Sequence, residues 1–167
     1  QNGLGVARFD GSNDFLNNTT MVWPNAAFSL YSSFTLNNVN TSNYYRLFNG
    51  GGSGADGRVF LGANPSGVAA TFTGNGGWND VNGNSIATDI RGSTNILGMT
   101  VSGATLRPYL NGVAETIKTG TTTAFNGYDI GGVYNGVFGQ SWNGNVHDVV
   151  AYSVALSTNA RNLVEQY

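Results

Sequence analysis

Residues able to act as acid, base or nucleophile are scarce in this chain. There is one histidine, His147, and the nine acidic residues include only two glutamates, Glu115 and Glu165. Retaining glycoside hydrolysis needs two carboxyl groups about 5 Å apart. Glu115 follows the Asn111-Gly112 turn with no acidic residue two or four positions on, and Glu165 lies near the end of the chain, so no glutamate pair is laid out along one strand. His147 is the residue type best suited to proton transfer near neutral pH. It also reads as an ordinary strand side chain beside Val149, and no Gly-x-Ser-x-Gly elbow supports a serine nucleophile for it. The sequence therefore reads as a non-enzyme.

Aromatic rings in neutral polar surroundings are the other chemical signal. Trp78, Tyr44, Tyr45, Tyr134 and Trp142 sit in or beside Gly/Asn-rich segments. A flat ring offers a face to sugar C–H groups and a neighbouring amide serves the hydroxyls; the same rings could equally anchor a protein interface. Trp78 is the preferred carbohydrate anchor, since Gly76-Gly77 leave its ring open and Asn79, Asp80 and Asn82 follow it. Tyr44 and Tyr45 are the second choice.

Charge narrows the partners. Charged residues are 10% of the chain, seven of them basic, and the formal net charge is -2. Such a surface has no electrostatic footprint for nucleic acid or for a strongly anionic glycan. No apolar run approaches the roughly 20 residues of a membrane span, so membrane insertion is not expected. Cysteine is absent, which removes disulfides and thiolate metal sites. For a metal, the oxygen-rich donor set favours Ca2+ over zinc. The glycine run Gly50-Gly51-Gly52-Ser53-Gly54 is followed by no helix and reads as a hairpin linker rather than a phosphate cradle. Gln1 reads as the start of a processed chain or an excised domain.

These residues must be held by strands. Phe28, Leu30, Phe34 and Leu36 alternate with Ser29, Tyr31, Ser33 and Thr35, predicting a strand with one buried and one wet face. Turn signals recur about every ten residues. Arg46 to Asn49 and Arg58 to Gly62 read as hairpin partners followed by Val68 to Phe72. Ile96 to Val101 and Leu106 to Leu110 form another hairpin, in which Pro108 marks an edge or a bulge. Tyr128 to Gly131 is the penultimate strand. The last strand spans Asn145 to Tyr152, with Val146, Val150 and Tyr152 on one face and His147, Val149 and Ala151 on the other. A helix begins at Ser157 or Thr158, with Leu163 and Val164 on its apolar side. The reading is one all-β domain over residues 1–167, an antiparallel two-sheet jelly-roll sandwich with one short C-terminal helix.

Three segments carry a family resemblance. The opening Phe9-Asp10-Gly11 with Asp14-Phe15, the hairpin Tyr109-Leu110-Asn111-Gly112, and the closing Trp142-Asn143-Gly144-Asn145-Val146-His147-Asp148-Val149-Val150-Ala151-Tyr152 together resemble laminin-G-like jelly rolls of the concanavalin A-like lectin/glucanase superfamily. Pro108 departs from the family's hairpin. The resemblance implies binding rather than turnover: either a carbohydrate-binding or adhesion module for neutral or weakly charged glycans such as a cell-surface polysaccharide, or an assembly domain docking on a host protein chain or capsid. The Gly/Asn/Thr-rich, lysine-poor composition suits an extracellular, cell-surface or virion-surface location. Jelly-roll lyases of the superfamily use Gln and His, but Gln140 and His147 lack their two-residue spacing. First and last strands that lie close together would bring Asp10 and Asp14 near Asp148, either as a structural Ca2+ site or as turn-capping carboxylates.

Overall fold

The structure, a computed structural model, describes residues 5–23, 27–39, 44–51, 59–73, 79–80, 89–119, 126–132 and 140–166. Two antiparallel sheets form the sandwich. The first comprises β1 (Ala7–Asp10), β3 (Ala27–Leu36), β8 (Thr94–Ser102), β9 (Thr105–Leu110), β10 (Val113–Ala114), β11 (Lys118–Thr119) and β13 (Asn143–Tyr152). Its order is β1-β13-β3-β8-β9-β10, with β11 also paired to β9. The second comprises β2 (Leu16–Val22), β4 (Tyr45–Gly50), β5 (Val59–Ala63), β6 (Ala69–Thr73), β7 (Asn79–Asp80) and β12 (Asn126–Ile130), in the order β2-β12-β4-β5-β6-β7. Among the described residues there is one helix, α1 (Thr158–Glu165), which follows β13. This is the predicted all-β class with one C-terminal helix.

The core forms where the alternation said it should. Phe28, Leu30, Phe34 and Leu36 of β3 are buried in one cluster with Tyr45, Leu47, Phe48 and Leu61 of the facing sheet. Trp23 bridges the layers, edge-on to Phe28 of one sheet at 6.0 Å and to Phe48 of the other at 5.6 Å. Trp142 is fully buried and edge-on to Phe34 at 5.2 Å, so it belongs to the core rather than to a polar loop. The β9–β10 turn uses Asn111 and Gly112 at φ 50 and 82, the left-handed pair that a tight two-residue hairpin requires. Pro108 lies just past the β10 pairing of β9, where its carbonyl accepts from Glu115 N–H at 3.0 Å and its missing N–H ends the ladder on that edge.

Three expectations are corrected. First, the pairing of β13 with β3 shifts register between Val146 and Asp148, which makes His147 a bulge residue. A bulge exchanges the faces of everything beyond it. Val149 thus joins Val146 against the core, while Val150 and Tyr152 stand on the outer face opposite Tyr31 and Ser29. Second, the outer face of β3 is not uniformly wet: Ser29 and Tyr31 are buried. The chain beyond β13 folds back over them, with Ser29 Oγ donating to the Val154 carbonyl and accepting from Leu156 N–H, each at 2.9 Å. Third, Leu163 does not face the protein; it is 66% exposed.

On the opposite side of the sandwich a polar chain ties β2, β12 and β4 together. Asn17 Nδ2 donates to Asp129 Oδ1 at 2.6 Å, Asn49 Nδ2 to Asp129 Oδ2 at 3.4 Å, and Arg46 Nη1 to Asn49 Oδ1 at 2.5 Å. Arg46, Asn49 and Asp129 are all buried, and a buried charge is tolerated only with such partners.

Candidate binding groove beneath the C-terminal helix

The groove is founded on a cross-strand row over the outer face of the first sheet: Val150, Tyr31, Gly98 and Tyr109 lie opposite one another on β13, β3, β8 and β9. Gly98 is part of the design. A Cβ there would fall 2.1 Å from the Tyr31 ring, so only glycine lets the ring lie flat over β8. The next row holds Asp148, Ser33 and Ile96.

Helix α1 starts at Ser157, whose Oγ accepts from Ala160 N–H at 3.4 Å and caps the first turn. Arg161, Val164 and Glu165, spaced three and four apart, face the sheet. Arg161 is 7% exposed. Its guanidinium lies 4.3 Å from the Tyr109 ring centroid, and its Nη1 donates to Glu165 Oε2 at 2.6 Å and to the Gly112 carbonyl at 3.2 Å. Arginine is suited to this because its planar, weakly hydrated cation stacks on a ring while its edge donates.

Between α1 and the sheet runs a groove of about 280 Å³. Tyr31, Ile96, Val150, Tyr152 and Val164 give it an apolar wall, and Ser33 and Asp148 stand along it as polar groups. A second hollow of about 360 Å³ lies against Asn111, Asn162 and Glu165, and Ile96 lines both. The Tyr31 hydroxyl and Glu165 Oε1 are both buried and find no hydrogen-bond partner among the described residues. Burial first, then the negative charge of Glu165, push the Tyr31 phenol well above its ordinary range, so it remains a donor. At the far end, His147 Nε2 lies 3.3 Å from Thr35 Oγ1, a local partner for the bulge residue.

The residues singled out from sequence are dispersed. Trp78 and Tyr134 lie outside the described residues, and of Asn79 and Asp80 only the backbone is described, paired with Thr71 and Ala70 at the edge of the second sheet. Tyr44 is half-buried and edge-on to Phe60 at 6.2 Å. Tyr45 is buried in the sandwich core, so its ring offers no open face to a sugar. Asp10 and Asp14 do meet, as turn caps: Asp14 Oδ2 accepts from Asp10 N–H at 3.2 Å and Asp10 Oδ1 from Ser12 N–H at 2.7 Å. Asp148 does not join them. Asp10 pairs with Asn143, and five further residues of strand at about 3.4 Å each separate that point from Asp148. Asp148 is exposed on the groove instead, and no group of three or more metal-ligating side chains occurs among the described residues. Tyr31, among Ser29, Ser32 and Ser33, and Tyr152 were read only as strand side chains; the signal that could have found the groove was Gly98, a lone glycine inside an apolar strand.

No protein-family model and no curated protein sequence matches the chain. Solved structures share its fold. A heptameric SAP-like pentraxin from Limulus polyphemus superposes with a TM-score of 0.70 at 15% identity, covering 92% of this chain and 77% of that one. A Trypanosoma rangeli sialidase in complex with sialic acid gives 0.67 at 15% identity over 84% of this chain, and the receptor-binding domain of botulinum neurotoxin mosaic serotype C/D gives 0.60 at 15% over 84%. The chain spans only 23% of the sialidase and 36% of the neurotoxin domain. These likenesses show the fold: an antiparallel two-sheet β-sandwich.

Proposed function

We propose that this domain is a non-catalytic carbohydrate-binding module of laminin-G-like type, acting outside the cell on neutral or weakly charged glycans through the groove beneath α1. The observation that carries the reading is the groove's lining, where half-buried Tyr152 and exposed Val150 offer a surface for sugar C–H groups beside the Ser33 hydroxyl and the Asp148 carboxylate. A binding role fits the carboxylates. Glu165 is engaged by Arg161, and Glu115 lies just past β10, three residues beyond Gly112, whose carbonyl accepts from Arg161. The test is a printed glycan array probed with the wild-type domain and with Tyr152→Ala. Loss of one stacking ring should weaken binding about tenfold, by analogy with stacking on aromatic side chains at roughly 1 to 3 kcal/mol. Undiminished binding by Tyr152→Ala would remove the site assignment.

A docking role is the second reading, and one surface favours it. Strand β2 lies at a sheet edge with Leu16, Met21 and Val22 exposed, Val22 to 72%. Beside it a hollow of about 180 Å³ opens between the sheets, lined by Met21, Tyr128, Ile130 and Val149. Apolar groups on an exposed edge suit contact with another chain. A Val22→Lys change that alters the oligomeric state in sedimentation, with an array silent for the wild type, would favour this reading over the first.

A further inference from the structure

We propose that the Tyr31 hydroxyl, from the groove wall, and Glu165 Oε1, from the adjoining hollow that shares Ile96 with the groove, are a donor and an acceptor that together take one hydroxyl group of a neutral sugar as α1 yields to admit it. This rests on the glycan-binding reading and names the chemistry it selects. Tyr31 is 2% exposed and the Glu165 side chain 6%, and neither of these two atoms has a partner among the described residues. Leaving a buried polar atom unmet is unfavourable, and the two atoms are complementary in type: a phenol that donates and a carboxylate oxygen that accepts. An alcohol satisfies both at once, accepting from Tyr31 and donating to Glu165. A carboxylate satisfies one and is repelled by Glu165 and by Asp148 on the groove wall.

The surroundings support an entry route. Both residues belong to one cluster, in which the rings of Tyr31 and Tyr109 lie 6.5 Å apart, Arg161 stacks on Tyr109, and Glu165 Oε2 holds Arg161. Arg161 is already committed on three sides, which leaves Oε1 for a ligand. The helix is held by this arginine and Val164 rather than by an apolar stripe, since Leu163 points to solvent. An element with so little apolar anchorage belongs to the low-stability end of a fold, where opening is least costly. Arg8 and Arg107 sit on the rows flanking the groove, and neither lines it.

The test is Tyr31→Phe, which deletes one oxygen and keeps the ring. Binding is measured calorimetrically with lactose, maltose and cellobiose and with their monodeoxy derivatives. A residue that only packs would leave affinity unchanged. The proposal expects an unchanged or raised melting temperature, because an unmet buried hydroxyl is removed, together with about tenfold weaker binding of the sugar that the wild type prefers. One monodeoxy derivative should show the same loss with wild type and no further loss with Tyr31→Phe. Full affinity in Tyr31→Phe while Tyr152→Ala is weakened would overturn the hydroxyl pair and leave the groove reading standing. Preference for sialylated or uronate glycans would also overturn it. Silence of the wild type toward every neutral sugar would overturn both.

Discussion

Replacing Gly98 with alanine tests whether the floor of the groove is built as described. The added methyl would sit 2.1 Å from Tyr31 Cδ1 and 2.2 Å from Cε1. Carbon atoms in contact are about 3.5 to 4.0 Å apart, so the ring would have to retreat by about 1.5 Å. On the β9 side it has little room, because Tyr31 is packed beside Tyr109 and the Arg161 guanidinium covers that second ring. Gly98 does not adopt a positive φ, so the backbone itself accepts alanine, and the stiffer unfolded chain returns about 0.4 to 1 kcal/mol. Overpacking of this kind costs about 1 to 3 kcal/mol or more. The net expectation is a loss of up to about 2.5 kcal/mol, or up to roughly 10 °C in Tm for a domain of this size. Urea unfolding of Gly98→Ala, Tyr31→Ala and the double variant measures it. With the ring gone, Gly98→Ala should become neutral or slightly stabilising, since the two residues share one contact. An equal penalty in both backgrounds would refute the argument that Tyr31 is what excludes a side chain at position 98.

Two further outcomes follow from buried charge. Arg161→Ala leaves Glu165 buried without its cation and uncovers Tyr109; breaking a buried pair costs about 3 to 5 kcal/mol, so α1 should undock, seen as faster amide hydrogen exchange over residues 158–165 with the sheet amides unchanged. Glu115 is buried, its Oε1 has no partner among the described residues, and desolvation raises its pKa above the ordinary value of 4.5. The folded state therefore holds the proton more tightly than the unfolded one, and this group's contribution to stability is lost as pH rises from the ordinary glutamate range through the raised folded value. Glu115→Gln should flatten that part of the stability profile and be more stable than wild type at pH 7; an unchanged profile would contradict it.

The fold was legible because local signals agreed with the global answer. The alternation along β3, the Asn111-Gly112 hairpin and the Ser157 cap each specify their element from nearby residues alone. What failed depended on distant parts of the chain. The bulge at His147 reverses the faces of the residues after it, and nothing within β13 announces the slip. Tyr45 and Trp142 sit in polar neighbourhoods in sequence yet are buried by the opposite sheet. Asp10 and Asp148 share neighbouring strands but not a level along them, which only the register reveals. The groove needed α1 to fold back across the outer face, and in sequence Tyr31 stands among serines while Tyr152 reads as one more residue of an alternating strand.

The most direct measurement of the central claim is a titration of the isotope-labelled domain with the neutral glycan that binds it on the array, followed by two-dimensional amide NMR. The account predicts shift changes concentrated at Ser33, Ile96, Asp148, Val150, Tyr152 and Val164, spreading along α1 to Glu165. Changes confined to residues 74–84, around Trp78, with the groove and α1 unmoved, would contradict it.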